Sequence, residues 1–305
     1  NEVGPFLAVE QAGLAQIVPD RRRTSTFAWY NLAGYVATAV GALTAGLLTA
    51  ALLGAGWSDV EAYRAVVLGY AALGLAMAGG FALVGPATEP APSVVVRDAE
   101  DRRRLGLGRR SRGIIARLSA LFALDAFAGG FVPQALMAYW FHLRFGVEPA
   151  ALGALFFAAN LLAAVSSLSA ARIAARIGLV NTMVFTHLPS NVLLILVPFM
   201  PTLPLAVICL LARYALSQMD VPTRQSYVMA VVDPDERSAA AGVTGIARTT
   251  GAAVSPAISA PLIASASFAG LPFVIAGGLK IVYDLSLWVA FRAHPAPSER
   301  LAPET

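Results

Sequence analysis

Charged residues are scarce in this sequence, and so are cysteine and lysine. Only 13% of the 305 residues are charged and 57% are hydrophobic, which gives a mean hydropathy of +0.68. Since a soluble domain carries about 25% charged residues, this shortage excludes an ordinary soluble protein. It predicts an all-α integral membrane protein with several spans. The single cysteine, Cys209, has no second cysteine to pair with and is expected to pack as a small hydrophobic residue.

The sequence also lacks the short motifs of several enzyme classes. It contains no Gly-x-x-x-x-Gly-Lys-Ser/Thr phosphate loop, no Cys/His cluster, no His-Glu-x-x-His and no Gly-x-Ser-x-Gly. We therefore expect no enzyme activity, no cofactor and no metal site. The net charge of +4 does not indicate nucleic acid binding, because membrane topology accounts for where the basic residues lie. Lys280 is the only lysine among 22 basic residues, a bias typical of a GC-rich genome that favours a bacterial inner-membrane protein.

Apolar runs long enough to cross a bilayer recur along the chain. We predict nine spans, the first of them partial, at residues 6–18, 26–53, 63–84, 114–141, 152–175, 179–200, 203–232, 239–266 and 270–291. Loops that alternate between the two sides of the membrane then place most of the 22 basic residues on one side and leave Arg64 and Arg144 on the other. This asymmetry predicts a cytoplasmic C-terminus.

A helix and its following loop near the start of the chain are repeated in the second half. In the alignment of the two copies Gln11 falls on Gln225, Glu10 on Arg224, and Pro19 on Pro234 after a slip of one residue. A small-residue apolar run follows each copy, at residues 26–53 and 239–266. The repeat therefore predicts a duplicated helical bundle.

Two helical halves joined by a long arginine-rich loop resemble the major facilitator superfamily of secondary transporters. In that family each half has six helices. The repeat places the spans of this chain at the fourth to twelfth helices, so the resemblance implies a fragment that lacks three N-terminal helices. The implied division is residues 1–86 for the rest of the N-terminal bundle, 87–113 for a cytoplasmic basic linker, 114–293 for the C-terminal bundle and 294–305 for a cytoplasmic tail.

A short motif between the predicted eighth and ninth helices supports the resemblance. Residues 171–178 (ARIAARIG) follow the family pattern Gly-x-Leu-Ala-Asp-Arg-x-Gly, with alanine in place of the first glycine and of the aspartate. The resemblance implies a gate or loop role for Arg172, Arg176 and Gly178.

A second motif lies in the predicted fifth helix. Residues 41–46 align with the antiporter pattern Gly-Pro-x-x-Gly-Gly, but the proline is absent. Small residues at these positions also suit close packing of helices, so export and packing are both open interpretations.

Ionisable side chains at bilayer depth cost several kcal/mol and mark a pathway or a partner. Those inside the predicted spans are Glu10, Asp125, Arg213, Asp220, Arg248, Lys280 and Asp284.

One helix carries several of these polar residues on a single face. In the predicted tenth helix, steps of four, three and four residues connect Arg213, Ser217, Asp220 and Arg224. Pro222 lies within this stripe and is expected to bend the helix. The stripe lines a pathway, or else Asp220 and Arg224 simply pair along the helix near its cytoplasmic end.

The resemblance adds a prediction about the cavity, which helices one, four, seven and ten line in the family. It implies that the path of substrate and coupling ion is formed by Glu10, Asp125, Arg213, Asp220 and Arg224. Asp125 has no basic neighbour in its own turn, so it is a candidate proton carrier, or else it bonds to a neighbouring helix.

Other polar residues have more ordinary predicted roles. We expect Lys280 and Asp284, four residues apart, to neutralise each other. Arg248 is expected to brace a cytoplasmic gate or to bind an anion. His142 and His187 are expected to cap helices or to reach the surface near the ends of spans.

These observations predict a secondary active transporter of a small solute, working by alternating access and coupled to protons, with efflux favoured. Its expected partners are a small-molecule substrate, protons and membrane lipid, and it is expected to be a monomer that binds no nucleic acid. The alternative is a non-transporting membrane sensor or scaffold on the same fold, which would bind a solute without moving it.

Overall fold

A computed structural model describes residues 5–83, 106–265 and 267–293. In these ranges the chain forms eleven α-helices and no strand, with two short 3-10 helices at Val197–Phe199 and Pro234–Glu236. The α-helices are α1 (Pro5–Ile17), α2 (Asp20–Gly54), α3 (Asp59–Ala82), α4 (Arg109–Gly130), α5 (Gln134–Phe145), α6 (Pro149–Ile177), α7 (Leu179–Leu196), α8 (Leu203–Ser217), α9 (Asp220–Ala230), α10 (Arg237–Ala264) and α11 (Leu271–Phe291). Most of the predicted basic linker and the predicted tail lie outside the described residues.

Seven stretches of described helix are long and apolar enough to cross a membrane. They are Asp20–Gly54, Asp59–Gly80, Ser111–Phe145, Pro149–Ile177, Leu179–Phe199, Leu203–Ala230 and Leu271–Phe291. The all-helical, multi-pass architecture is thus confirmed. Two predicted spans are not among the seven: α1 has only 13 residues, and α10, with 28, is rich in glycine, serine, threonine and proline. These two helices pack against each other.

One of the predicted spans is a broken helix around Pro133. Helix α4 ends at Gly130, and α5 begins at Gln134 after three residues in a non-helical connection. Proline has no N–H to donate and disfavours the helical conformation of the residue before it, so the break falls where the sequence places Pro133.

A second break divides the predicted tenth helix. Helix α8 ends at Ser217 and α9 begins at Asp220, so Gln218 lies in the break. Pro222 falls in the first turn of α9, where its missing N–H costs little because that turn has no intrahelical acceptor for it. The predicted bend is therefore an interruption, and it lies within the polar stripe.

The first unit, α1–α3, packs on the second unit, α4–α11, in a reciprocal manner. Helix α1 packs against α10, and α9 packs against α2. Because the sequence repeat aligns α1 with α9 and α2 with α10, each copy packs on the other in the same way. This exchange is what two duplicated halves related by a pseudo-twofold axis produce.

Side-chain hydrogen bonds reinforce the contact between the units. From α2 to the second unit they join Thr24 Oγ1 to Ser226 Oγ (2.8 Å), Asn31 Nδ2 to Gln225 Oε1 (2.8 Å) and Tyr35 Oη to Gln218 Oε1 (2.5 Å). From α10 to α1, the Arg237 guanidinium donates to the carbonyl oxygen of Ala15 at 3.0 Å.

Helices α2 and α6 approach most closely where each has a glycine. A Cβ atom added at Gly46 would lie 2.6 Å from the carbonyl oxygen of Pro149 and 2.9 Å from the Cα of Gly153. The small residue at position 46 therefore has a packing role, whereas the antiporter interpretation of residues 41–46 stays a prediction.

The apolar side chains of the protein form two clusters. One contains Trp140, Phe156, Leu210 and Phe273, and the other contains Phe122, Met183, Tyr227 and Leu287. Helices α4, α7 and α11 run from one cluster to the other, as the broken pair α8 and α9 does. Between the clusters lies a buried polar layer made of Asp125 on α4, His187 and Asn191 on α7, Asp220 and Arg224 on α9, and Lys280 and Asp284 on α11.

Candidate substrate and ion site

Asp125 joins three helices of the second unit through two ion pairs. Lys280 Nζ lies 2.5 Å from Asp125 Oδ1, and Arg224 Nη1 lies 3.0 Å from Asp125 Oδ2. All three residues are less than 10% exposed, so the charges compensate one another in apolar surroundings. Both oxygens of the carboxylate are occupied by cationic donors, and a proton on Asp125 would have to displace one of them.

Arg224 also reaches a second carboxylate. Its Nη1 lies 3.3 Å from Asp220 Oδ2, one turn earlier on α9, so the pairing along the helix that the sequence allowed does occur. Both residues are buried, and Asp220 is the first residue of α9, directly after the break.

Lys280 and Asp284 do not pair with each other as the sequence suggested. Lys280 pairs with Asp125, while Asp284 hydrogen-bonds to α7: His187 Nδ1 lies 2.9 Å from Asp284 Oδ1, and Asn191 Nδ2 donates to Asp284 Oδ2 at 2.8 Å. Asp284 and Asn191 are fully buried and His187 is 4% exposed. The expectation that His187 lies near the end of a span is also wrong, since it is in the middle of α7.

A cavity of about 330 Å³ lies beside this layer, between α1, α4, α9 and α10. Its wall includes Gln11, Phe122, Arg224, Gln225, Thr244 and Arg248. The guanidinium group of Arg224 lies 5.4 Å from the centre of the Phe122 ring, which supports it on the side of α4. Arg224 is therefore part of the cavity wall and of the buried ion pairs at the same time.

Arg248 is the second cation of the cavity wall. Among the described residues no carboxylate oxygen lies within 4.0 Å of its guanidinium group. Its Nε atom is buried and has no hydrogen-bond partner in the same part of the chain. A buried donor of this kind is costly unless a bound group accepts from it.

Two of the predicted pathway residues are not part of these ion pairs. Glu10 on α1 accepts a hydrogen bond from the hydroxyl of Tyr30 on α2 and does not line the cavity. Arg213 is buried on α8, with its guanidinium carbon 5.2 Å from the centre of the Tyr214 ring. The structure therefore joins Asp125, Asp220 and Arg224 in ion pairs, whereas among the described residues Glu10 and Arg213 form no ion pair with them. Their roles in transport remain predictions.

The residues of the predicted loop motif lie at the junction of α6 and α7. Arg172 and Arg176 are exposed in the last turns of α6. Gly178 has φ +84° and ψ +163°, a conformation open to glycine alone, so it sets the direction in which α7 leaves α6. A gate role for the two arginines stays a prediction.

Sequence reasoning missed several residues of the site. The partners of Lys280, Asp284 and His187 lie on other helices, and spacing along one helix cannot reveal them. The repeat did offer a signal for Gln11 and Gln225, because these two residues align with each other and both line the cavity.

Helices of both units surround a cavity whose wall includes two arginine and two glutamine side chains. The family profile of the Major Facilitator Superfamily matches residues 3–256 of the chain. The chain therefore belongs to the Major Facilitator Superfamily, and the resemblance drawn from the sequence is confirmed.

The chain is similar to a yeast protein and to two solved structures. An uncharacterized membrane protein of Saccharomyces cerevisiae, YJR124C, is 27% identical over 317 residues, which cover 95% of this chain and 70% of the yeast protein. The crystal structure of the human organic anion transporter MFSD10 (TETRAN) matches with a TM-score of 0.61 at 20% identity and covers 92% of this chain and 67% of that one. A bacterial homologue of the iron transporter ferroportin, in an outward-facing state, matches with a TM-score of 0.58 at 13% identity, over 92% of this chain and 66% of that one. Both structures share the fold.

Proposed function

We propose that the chain belongs to a secondary active transporter that moves a small organic anion across the membrane by alternating access, coupled to protons. The observation that carries this proposal is the cavity with Arg224 and Arg248 in its wall. Arg224 has two carboxylate partners, whereas no described carboxylate lies within 4.0 Å of Arg248. The cavity thus presents more positive charge than its own side chains compensate, and an anion would complete the balance.

The size and lining of the cavity suit a small solute. A volume of about 330 Å³ is at the lower end of ligand pockets in proteins. Gln11 and Gln225 add amide donors from both units of the repeat, and Thr244 adds a hydroxyl group. An anion bound there would contact the first and second units together, as alternating access requires. The name of the human structural relative, an organic anion transporter, agrees with this substrate class.

The contacts between the units support a rocking motion. Besides the backbone contact at Gly46, the contacts between the units include neutral hydrogen bonds, such as those of Asn31 with Gln225 and of Thr24 with Ser226. Each neutral hydrogen bond contributes about 1 kcal/mol, so these bonds add little to the barrier against opening the interface. We base no direction of transport on residues 41–46, because close packing explains the small side chain of Gly46.

Counterflow in proteoliposomes tests the proposal. Vesicles that contain the protein would be loaded with an unlabelled solute, and the same solute in labelled form would be added outside. The solutes are benzoate, lactate, succinate and citrate, with tetraethylammonium as the cationic comparison. We expect counterflow of at least one anion and none of the cation. Arg248→Gln should raise the half-saturating anion concentration about tenfold or more, the effect of losing one charge-assisted hydrogen bond.

Arg172→Gln is the matched control, because Arg172 is exposed at the end of α6. It should leave the half-saturating concentration unchanged. Counterflow of tetraethylammonium alone, or an Arg248→Gln protein with unchanged anion kinetics, would contradict an anion site. Binding of these anions without flux would favour the sensor or scaffold alternative.

A further inference from the structure

We propose that the pair of His187 and Asp284 is the site that holds the coupling proton, and that an anion in the cavity and a proton on this pair are carried together. The inference rests on the proposed function for the anion. For the proton it rests on the buried polar layer alone.

The first step concerns the partners of Asp284. This carboxyl group is fully buried, and among the described residues its hydrogen-bond partners are His187 Nδ1 and Asn191 Nδ2. No described arginine or lysine nitrogen lies within 4.0 Å of its oxygens. A buried carboxylate that has no permanent cation beside it needs a proton, either on itself or on the imidazole that bonds to it. The two residues therefore bind one proton as a unit.

The second step concerns the groups that surround the pair. Helix α11 presents Lys280 and Tyr283, α4 presents Asp125, and α9 presents Asp220 and Arg224. Helix α8 carries Arg213, stacked on Tyr214, and α6 carries Arg172 and Arg176, both exposed at its end. Four of these groups are already joined in ion pairs: Asp125, Asp220, Arg224 and Lys280. A proton can join or leave His187 and Asp284 without breaking any of these ion pairs.

The third step connects the proton to the cavity. Lys280 lies one turn before Asp284 on α11 and pairs with Asp125, which pairs with Arg224, and Arg224 lines the cavity. An anion that attracts the guanidinium group of Arg224 weakens the ion pairs of Arg224 with Asp125 and Asp220, so the negative charges of these carboxylates are less well compensated. A proton on His187 and Asp284 adds the positive charge that compensates them. By linkage, the proton favours the anion to the same extent as the anion favours the proton.

Two measurements test this inference. The first needs no substrate: full-length protein labelled with nitrogen-15 histidine, in nanodiscs, would be followed by NMR at neutral pH. The signal lost in His187→Gln identifies His187, and we expect a protonated Nδ1 whose shift changes in Asp284→Asn. An unchanged His187 signal in Asp284→Asn would contradict a shared proton.

The second measurement is transport of the fastest anion among benzoate, lactate, succinate and citrate. An inward proton gradient of about one pH unit should accumulate a monovalent anion about tenfold in the wild type, if one proton accompanies each anion. In His187→Gln and in Asp284→Asn this accumulation should disappear while counterflow without a gradient continues. His142→Gln is the control, since the side chain of His142 is exposed and lies within hydrogen-bond distance of the Val147 carbonyl oxygen.

The outcomes separate the two proposals. If the wild type shows no anion counterflow, the proposed function fails, and the NMR result still decides whether the pair holds a proton. If counterflow occurs and both variants accumulate the anion as the wild type does, the proton site is elsewhere and this inference is overturned. If both variants lose counterflow as well, with unchanged elution in size-exclusion chromatography, the pair acts on anion transport itself, which also contradicts the inference.

Discussion

The amine of Lys280 lies 2.5 Å from a carboxylate oxygen of Asp125, and this ion pair joins α11 to α4 inside the apolar second unit. Arg224 occupies the other oxygen of the same carboxylate. The two partners of the ion pair are therefore not equivalent: Asp125 keeps a second cation if Lys280 is lost, but no other described carboxylate lies within 4.0 Å of the Lys280 amine if Asp125 is lost.

This asymmetry gives the first prediction. Asp125→Asn should lower the free energy of unfolding by about 3 kcal/mol, because it leaves the Lys280 amine buried without a carboxylate. Lys280→Met should cost clearly less, since Asp125 retains Arg224. Thermal unfolding in detergent, followed by tryptophan fluorescence, measures both effects. The double variant should resemble Lys280→Met, and equal losses in the two single variants would show that the ion pair does not have the described arrangement.

The second prediction concerns the contact between α2 and α6. Gly46→Ala should destabilise the protein by about 1–3 kcal/mol, because the new methyl group would meet the backbone at Pro149 and Gly153. Gly41→Ala, in the same helix, has no atom within 4 Å of its new Cβ and should be neutral. The melting temperatures of the two variants are compared under identical detergent conditions. Equal melting temperatures would contradict the close approach.

The third prediction concerns two glycines with positive φ. Gly146 has φ +66° and ψ +26°, a left-handed conformation that asparagine tolerates, whereas Gly178 has φ +84° and ψ +163°. Gly146→Asn should therefore have a small effect, and Gly178→Asn should cost about 1–3 kcal/mol. Urea or thermal unfolding of the two variants distinguishes them. The prediction fails if position 178 tolerates asparagine as well as position 146 does.

The fourth prediction tests whether the units must separate during transport. The hydroxyl oxygens of Thr24 and Ser226 are 2.8 Å apart across the interface, so cysteines at these positions should form a disulfide on mild oxidation. The background would carry Cys209→Ser to remove the natural thiol. We expect oxidation of the double cysteine protein to stop counterflow and reduction to restore it. The single cysteine proteins serve as controls, and transport that persists after complete cross-linking would exclude a rocking motion at this interface.

The helical, membrane-spanning architecture could be predicted from the sequence because lipid imposes it. A backbone in hydrocarbon must bond to itself, so apolar runs become helices with bounds close to those of the runs. The predicted span at residues 179–200 and the observed helix Leu179–Leu196 with its 3-10 extension illustrate this agreement. The division into two related units stays a prediction, whose basis in the sequence is the alignment of Gln11 with Gln225 in the two copies of the repeat.

The partners of the buried charges could not be predicted in the same way. Spacing along one helix suggested that Lys280 and Asp284 pair, but the packing of α11 on both α4 and α7 offers each of them a partner on another helix. Which partner wins depends on the relative rotation of the helices, and a hydropathy pattern does not contain that rotation. The same reason explains why His187 was expected near the surface although it bonds to Asp284.

The hydrogen bond from Tyr35 to Gln218 has a mechanical consequence. Tyr35 belongs to α2 in the first unit, and Gln218 is in the break between α8 and α9, directly before the segment that carries Asp220 and Arg224. A tilt of α2 would therefore displace Gln218, which lies in the break where regular helical backbone hydrogen bonds are interrupted. Through the hydrogen bond of Tyr35 and Gln218, motion between the units would rotate α9, and Arg224 in the cavity wall would rotate with it.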